Sequence, residues 1–160
     1  MTEADIQSIA LFFYFALLDD KKAIEASTQA LALCRDKQKR NPGLSSSVAV
    51  VVATKVVWGR FKARVVRGRP NTSVESGWLI PEGIDLGPWR EFQKTASEDE
   101  LLTVIWSKIL KINDNDISEG LGITQGTIRY RLGRALRKLG TMTQGAVSYT
   151  HLRAHETSLH

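Results

Sequence analysis

The stretch that decides the fold reads DISEGLGITQGTIRYRLGRALRKL and runs from Asp116 to Leu139. It predicts a short helix that Asp116 caps, a turn at Gly122, and a longer helix that Thr124 caps. The apolar spacing indicates that both helices share one small core, which is typical of a helix-turn-helix. The residues predicted to form this core are Ile117, Leu121, Ile123, Ile128 and Leu132. The apolar face of the longer helix continues through Ala135, Leu136 and Leu139.

The longer helix is basic on the positions that face away from this core. No acidic residue occurs between Thr124 and Leu139. Gln and Arg side chains can hydrogen-bond base edges in the major groove, while other cations neutralise phosphates. A solvated basic helix on an ordinary core is the alternative, but the cap, the turn and the apolar spacing together favour nucleic-acid binding. The residues expected to contact duplex DNA are Thr124, Gln125, Gly126, Thr127, Arg129, Tyr130, Arg131, Arg134 and Lys138.

These residues resemble the C-terminal promoter-reading domain of bacterial sigma factors, those of the extracytoplasmic-function type in particular. The resemblance implies an all-α protein of two small helical domains joined by a linker, in which the second domain reads the upstream promoter element. Response-regulator effector domains share the Gly-x-Thr-Val type of helix, so a regulator with a LuxR-like helix-turn-helix stays open. The matching residues are Ile117, Glu119, Leu121, Gly122, Ile123, Gly126, Thr127, Arg131, Leu132, Arg134, Ala135 and Leu139.

The N-terminal third of the chain predicts three helices. From Ile6 to Arg40 there is no proline or glycine, and good helix formers dominate. Asp19 and Asp20 break this stretch into two helices, with an Asp as the cap of the second. The serines from Ser45 offer a cap for a third helix that runs to about Val66. Its first residues have strand propensity, but no neighbouring segment supplies a partner strand, so a buried helix is expected.

This block also resembles the first domain of the sigma family, which binds the polymerase clamp and reads the downstream promoter element. The residues from Leu17 to Glu25, with Gln29, resemble its entry helices. The family carries acidic residues on both sides of that glutamine, where this chain has Ala26 and Ala30.

The end of the third helix resembles the aromatic and basic helix that engages melted DNA in that family. Cations follow the backbone of a single strand, and exposed aromatic rings stack on unpaired bases. Trp58 and Phe61 share one side of the helix, as core residues also would, and both interpretations stay open. The residues expected to contact single-stranded DNA are Lys55, Trp58, Arg60, Phe61, Lys62 and Arg64.

The segment between the two blocks is rich in proline and glycine and has no sustained periodicity, which predicts a linker. Trp78 and Trp89 within it indicate that parts of it dock on a surface. Ser97 and Glu100 then have the spacing of a capping box, which predicts the start of the next helix. The expected organisation is a helical domain at 5–67, a linker at 68–95 and a helix-turn-helix domain at 96–140.

The last residues do not resemble natural protein sequence. The string from Val147 to Thr157, VSYTHLRAHET, resembles the conceptual translation of a transposase adapter used in preparing sequencing libraries. We therefore expect 147–160 to be an adapter artefact and exclude this segment from the fold. All three histidines lie in the excluded segment, so the rest of the chain has none.

Composition argues against an enzyme, a metal site and a cofactor. Without histidine, and with Cys34 as the one cysteine, the commonest general base and most zinc ligand sets are missing. Cys34 is expected to be a buried structural thiol. The longest apolar run, from Ile9 to Leu18, is too short to span a membrane, and the acidic residues around it do not fit a signal peptide. We expect a cytoplasmic protein with no membrane partner.

The sequence thus predicts a sigma-factor-like transcription initiation protein that gives RNA polymerase its promoter specificity. Its expected partners are promoter DNA and core RNA polymerase, and the resemblance implies an anti-sigma protein as a further partner. A regulator that does not join the polymerase is the main alternative. A sigma paralogue that acts through protein contacts is a third.

Overall fold

The computed structural model describes residues 1–62 and 86–158, with side chains as far as Thr141. Over these residues the chain is all-helical, as predicted, and contains no β-strand. The helices are α1 (Glu3–Leu17), α2 (Asp20–Arg40), α3 (Ser46–Phe61), α4 (Leu86–Thr95), α5 (Glu98–Val104), a π-helical segment (Ile105–Ile109), α6 (Asp114–Leu121) and α7 (Gln125–Ser158).

Capping side chains set the helix starts that the sequence predicts. Asp19 caps α2 and accepts a hydrogen bond from the backbone N–H of Lys22 at 2.9 Å, after Leu18 has ended α1 in the left-handed conformation. Ser45 caps α3, so the valine-rich stretch that follows is helical, as predicted. α3 ends at Phe61, and the expected continuation to about Val66 lies outside the described residues.

Helix α1 runs through the centre of the protein. Every residue from Phe12 to Leu18 is buried, so the second half of α1 is covered on all sides. Its aromatic rings join it to other helices, because Phe12 stacks on Trp106 at a centroid distance of 5.7 Å and Phe15 meets Trp89 edge-on at 5.4 Å.

Helix α4 replaces the end of the predicted linker. The sequence predicts no regular structure here, but Pro88 lies in the first turn of α4, where its missing N–H would have no partner within the helix. The predicted docking of Trp89 is confirmed: its indole N–H donates to the carbonyl of Phe15 at 2.9 Å. Gln93 donates to the carbonyl of Ala16 at 3.2 Å. These side chains therefore satisfy two carbonyls at the end of α1 that α1 itself leaves unpaired.

One continuous hydrophobic core contains residues from both predicted domains. α3 packs against α2 on one side and α6 on the other. The approach of α3 and α6 is close at Gly120, where a Cβ atom would lie 2.7 Å from Cγ1 of Val51. The division into two domains stays a prediction, and the sequence did not indicate this shared core.

Helix α7 continues beyond the predicted end near Gly140 and reaches Ser158. The sequence contains no proline in this range, so nothing in it removes a helical hydrogen bond. The helix thus enters the segment that resembles an adapter, and the origin of that segment stays a prediction.

Candidate nucleic-acid interface

The α6–α7 pair is built by three local devices. Asn113 caps α6 and accepts a hydrogen bond from the backbone N–H of Asp116 at 2.9 Å. Gly122 ends α6 with a φ of 70°, a conformation that glycine adopts without strain. Thr124 then accepts a hydrogen bond from the backbone N–H of Thr127 at 3.1 Å, at the start of α7. The turn and the Thr124 cap were predicted, but the predicted cap at Asp116 is wrong: α6 begins earlier, with Asn113 as its cap, so Asp116 lies inside the first turn and donates its backbone N–H to that cap.

The predicted apolar contacts between the two helices are present, but they belong to the larger core. Ile117 and Ile128 are fully buried, and the other three predicted residues are half-buried against the same core. Ala135 is buried too, whereas Leu136, which was expected on this apolar face, is 38% exposed. A period of 3.6 residues places Leu136 about 100° around the helix from Ala135, and therefore away from the core.

The first two turns of α7 present an open surface, defined here as Gln125, Gly126, Arg129 and Tyr130. All four residues are exposed, and Tyr130 is 62% exposed. Gln125 donates to the side-chain oxygen of Asn115 at 3.2 Å, and Arg129 lies 3.9 Å from Asp114. Because exposed pairs of this kind are worth about 1 kcal/mol or less, both side chains can exchange these partners for others.

The next turns of α7 carry cations that already pair with carboxylates of α5. Arg131 lies 3.5 Å from Asp99, Arg134 lies 3.4 Å from Glu100, and Lys138 lies 2.7 Å from the other oxygen of Glu100. Three of the residues expected to contact DNA phosphates therefore face carboxylates of the same chain. Sequence reasoning missed these ion pairs because α5 and α7 are far apart along the chain.

Glu100 is the centre of this contact. The residue is only 3% exposed, and its side chain also accepts the backbone N–H of Ser97 at 2.9 Å, which completes the predicted capping box. Burial raises the pKa of Glu100, but the hydrogen bonds from Lys138 and Ser97 outweigh burial and hold the pKa below its usual value. Glu100 is thus ionised at neutral pH and fixes α7 on α5.

Arg134 has a second partner on α7 itself. Its guanidinium donates to the Tyr130 hydroxyl at 3.4 Å and lies 5.9 Å from the centre of the Tyr130 ring. This hydrogen bond, together with Glu100, raises the pKa of Arg134. Arg134 therefore connects the open surface to the α5 contact.

The rings expected to meet single-stranded DNA are buried. Trp58 is 1% exposed and Phe61 is fully buried. Both rings are therefore core residues, which is one of the two interpretations that the sequence left open. The Trp58 indole N–H donates to Glu98 at 2.6 Å, and Lys62 pairs with the same carboxylate at 3.3 Å. Burial raises the pKa of Glu98, but these two hydrogen bonds outweigh burial and lower the pKa overall.

The remaining residues of that set are separated from one another. Arg60 is exposed and donates to the side-chain oxygen of Gln29 at 3.0 Å. Lys55 is half-buried, lines a pocket and acts from a distance on Glu98, while Arg64 lies outside the described residues. Ala26 and Ala30, where the sigma family has acidic residues, are both fully buried in the core.

Three other features of the described residues bear on function: metal-binding groups, the cysteine and membrane-spanning helices. They include no group of three or more His, Cys, Asp or Glu side chains that could hold a metal ion. Cys34 is buried, as predicted, and burial raises the pKa of its thiol to about 11. None of the helices in the described part of the chain is long and apolar enough to cross a membrane.

Comparison with known proteins adds no relative. No family model matches the chain, and no curated protein or solved structure matches it. The proposed function therefore rests on the residues of this chain and their geometry.

Proposed function

We propose that this chain is a sigma-factor-like transcription initiation protein that reads duplex promoter DNA with the N-terminal half of α7. One observation carries the proposal: the open surface exposes Gln125, Arg129 and Tyr130 on two consecutive turns that have no acidic residue among them. The sequence resemblance supplies the sigma-like part of the proposal, and the open surface supplies its DNA-reading part.

The chemistry of the open surface suits a major groove. Gln125 can present its amide to a base edge, with a donor and an acceptor on one planar group. Arg129 can contact either guanine or a phosphate, and the Tyr130 hydroxyl can donate to a phosphate oxygen. Gly126 lies between them with no side chain; apart from its chain neighbours and its own helix backbone, only the Thr124 hydroxyl among the described residues comes within 4 Å of the place its Cβ would take. The DNA backbone can therefore come close to the helix at that point.

The ion-paired residues of α7 have a different role in this proposal. Arg131, Arg134 and Lys138 must give up a carboxylate partner before they can neutralise a phosphate. Each phosphate contact adds about 0.9 to the slope of log affinity against log salt. Because the ion-paired cations make fewer such contacts, the salt dependence of duplex binding should be less steep than the number of cations on α7 alone would predict.

A second candidate function is favoured by the N-terminal helices. Trp58 and Phe61 lie in the core, and the positions of Ala26 and Ala30 face it, so the features that the resemblance assigns to melted DNA and to the polymerase clamp are not exposed. A DNA-binding regulator that does not join the polymerase needs neither feature. This candidate keeps the open surface in the same role.

Binding to core RNA polymerase separates the two candidates. We would capture the full chain with bacterial core RNA polymerase at near-physiological salt, and measure duplex binding of the same preparation by fluorescence anisotropy. Stoichiometric capture supports the sigma-like function. Duplex binding without capture rejects it in favour of the regulator, and loss of both rejects both.

A matched pair of variants makes the capture specific. Gln29 lies in the segment that resembles the clamp-binding helix, and its oxygen is held by Arg60. We expect Gln29→Ala to lower capture severalfold and the neighbouring exposed Thr28→Ala to leave it unchanged. Equal capture of both variants would remove this segment from the proposed polymerase contact.

A further inference from the structure

A pocket of about 220 Å³ lies where α3, α5 and the α6–α7 pair meet. Sites for drug-sized ligands occupy roughly 300–1,000 Å³, so this pocket suits a smaller molecule. It is separate from the open surface of α7 and shares only Arg131 with the residues expected to contact duplex DNA.

The charges around the pocket favour an anion. Lys55 from α3 and Arg131 from α7 line it, together with the single carboxylate of Asp99. Arg131 pairs with Asp99 at 3.5 Å, whereas Lys55 forms no direct ion pair with a described residue and acts on the Glu98 carboxylate only from a longer distance, where it helps to lower the pKa of Glu98. Two cations against one anion leave the lining with a net positive charge, and a half-buried ammonium gains most from a partner that reaches it in the pocket.

The remaining lining is apolar, with one polar exception. Leu102 and Trp106 line the pocket but are each only 1% exposed, so the apolar surface open to a ligand comes from the half-buried Leu121 and Ile123. Thr103 also lines the pocket, and its hydroxyl is buried with no hydrogen-bond partner among the residues that the structure describes.

We propose that this pocket binds a small organic monoanion, with its carboxylate between Lys55 and Arg131 and its apolar body against Leu121 and Ile123. A carboxylate suits both cations, because a guanidinium and an ammonium can share its two oxygens. The ligand would contact α3 and α7 at once and would compete with Asp99 for Arg131.

Benzoate is the probe, and benzamide is its neutral counterpart of nearly equal shape. The readout is the indole N–H resonance of Trp106 in the full chain, assigned with Trp106→Phe and followed without DNA. We expect benzoate to shift this resonance saturably and to bind roughly tenfold more tightly than benzamide. The reason is that one hydrogen bond to a charged group changes the affinity by about tenfold.

Two lysine variants test the geometry. Lys55→Met keeps the length of the side chain and removes its charge, and we expect it to weaken benzoate binding roughly tenfold while leaving benzamide unchanged. Lys108→Met removes an exposed charge outside the pocket and should change neither. If Lys55→Met does not fold, Arg131→Met is used in its place with the same expectation.

Three results would overturn the proposal. These are the absence of a saturable shift at Trp106 with millimolar benzoate, equal affinity for benzoate and benzamide, and equal benzoate binding by the Lys55→Met and Lys108→Met variants. Because no measurement includes DNA or polymerase, failure here leaves the proposed function untouched, and failure of the proposed function leaves this site untouched.

Discussion

The two sides of the α6–α7 pair use similar residue types for different purposes. On the packed side, Gly120 meets Val51 of α3, and the cations Arg131, Arg134 and Lys138 face carboxylates of α5. On the open side, Gly126 has space around it and Arg129 makes only a long, exposed contact. A basic helix therefore does not offer all of its charge to a partner, because three of the five cations between Gln125 and Leu139 hold the helix in place.

Two glycine variants give the largest expected contrast between these sides. Gly120→Ala would bring a methyl group within 2.7 Å of Val51, so we expect it to lower the free energy of unfolding by about 2 kcal/mol. Gly126→Ala should change it by no more than about 0.5 kcal/mol, because the added methyl group meets open space. Urea unfolding of both variants measures the difference. Equal effects would contradict the close approach of α3 and α6.

The next contrast concerns a buried and an exposed glutamate. Glu100→Gln keeps a capping side chain for Ser97 but removes the charge that Arg134 and Lys138 face. We expect this variant to lower the free energy of unfolding by about 1.5 kcal/mol. The control is Glu119→Gln on the exposed surface of α6, with an expected change below about 0.5 kcal/mol. A loss no larger than that of the control would show that Glu100 does not hold α7.

Local signals explain why much of the fold was predictable. A capping side chain acts within three residues, so the sequence indicates Asp19, Ser45 and Thr124 as helix starts. The left-handed turn at Gly122 is equally local. These signals were sufficient for the helical class and for most helix boundaries.

Contacts between distant segments could not be predicted in the same way. The ion pair of Arg131 with Asp99 and the hydrogen bond of Trp58 to Glu98 depend on how helices pack, and no residue pattern encodes that packing locally. The sequence therefore could not show which cations of α7 are paired, or that Trp58 is buried. Pro88 was misinterpreted for a similar reason, because a proline predicts a linker unless it lies in the first turn of a helix.

If Gln125 reads a base edge, its removal changes the sequence preference of duplex binding, and we expect this effect to be smaller than the two stability effects above. Gln125→Ala should reduce discrimination between the preferred duplex and a single-base variant of it by about 1 kcal/mol, roughly fivefold, because one amide contact is lost. Competition anisotropy with a library of duplexes measures this. Thr141→Ala, beyond the open surface, is the control. An equal loss of affinity for every duplex would contradict base reading by Gln125.

The pH dependence of stability tests the packed side without any partner. The pKa values of Glu98 and Glu100 are lowered in the folded protein, so each carboxylate stabilises the fold above its unfolded pKa of about 4.3. This contribution is lost as the pH falls through the folded pKa. We expect the free energy of unfolding to decrease as the pH is lowered below about 4, and to decrease less in the Glu100→Gln variant. Identical pH profiles of the two proteins would contradict the assigned shift.

The salt dependence of duplex binding tests the central claim most directly, namely that the open side of α7 contacts DNA. We predict that Arg129→Met reduces the slope of log affinity against log salt by about one, as the loss of one phosphate contact does. Arg131→Met should reduce it by less than half as much, because Asp99 already neutralises Arg131. Absence of duplex binding by the unmodified protein, or a larger effect of Arg131→Met than of Arg129→Met, would contradict this account.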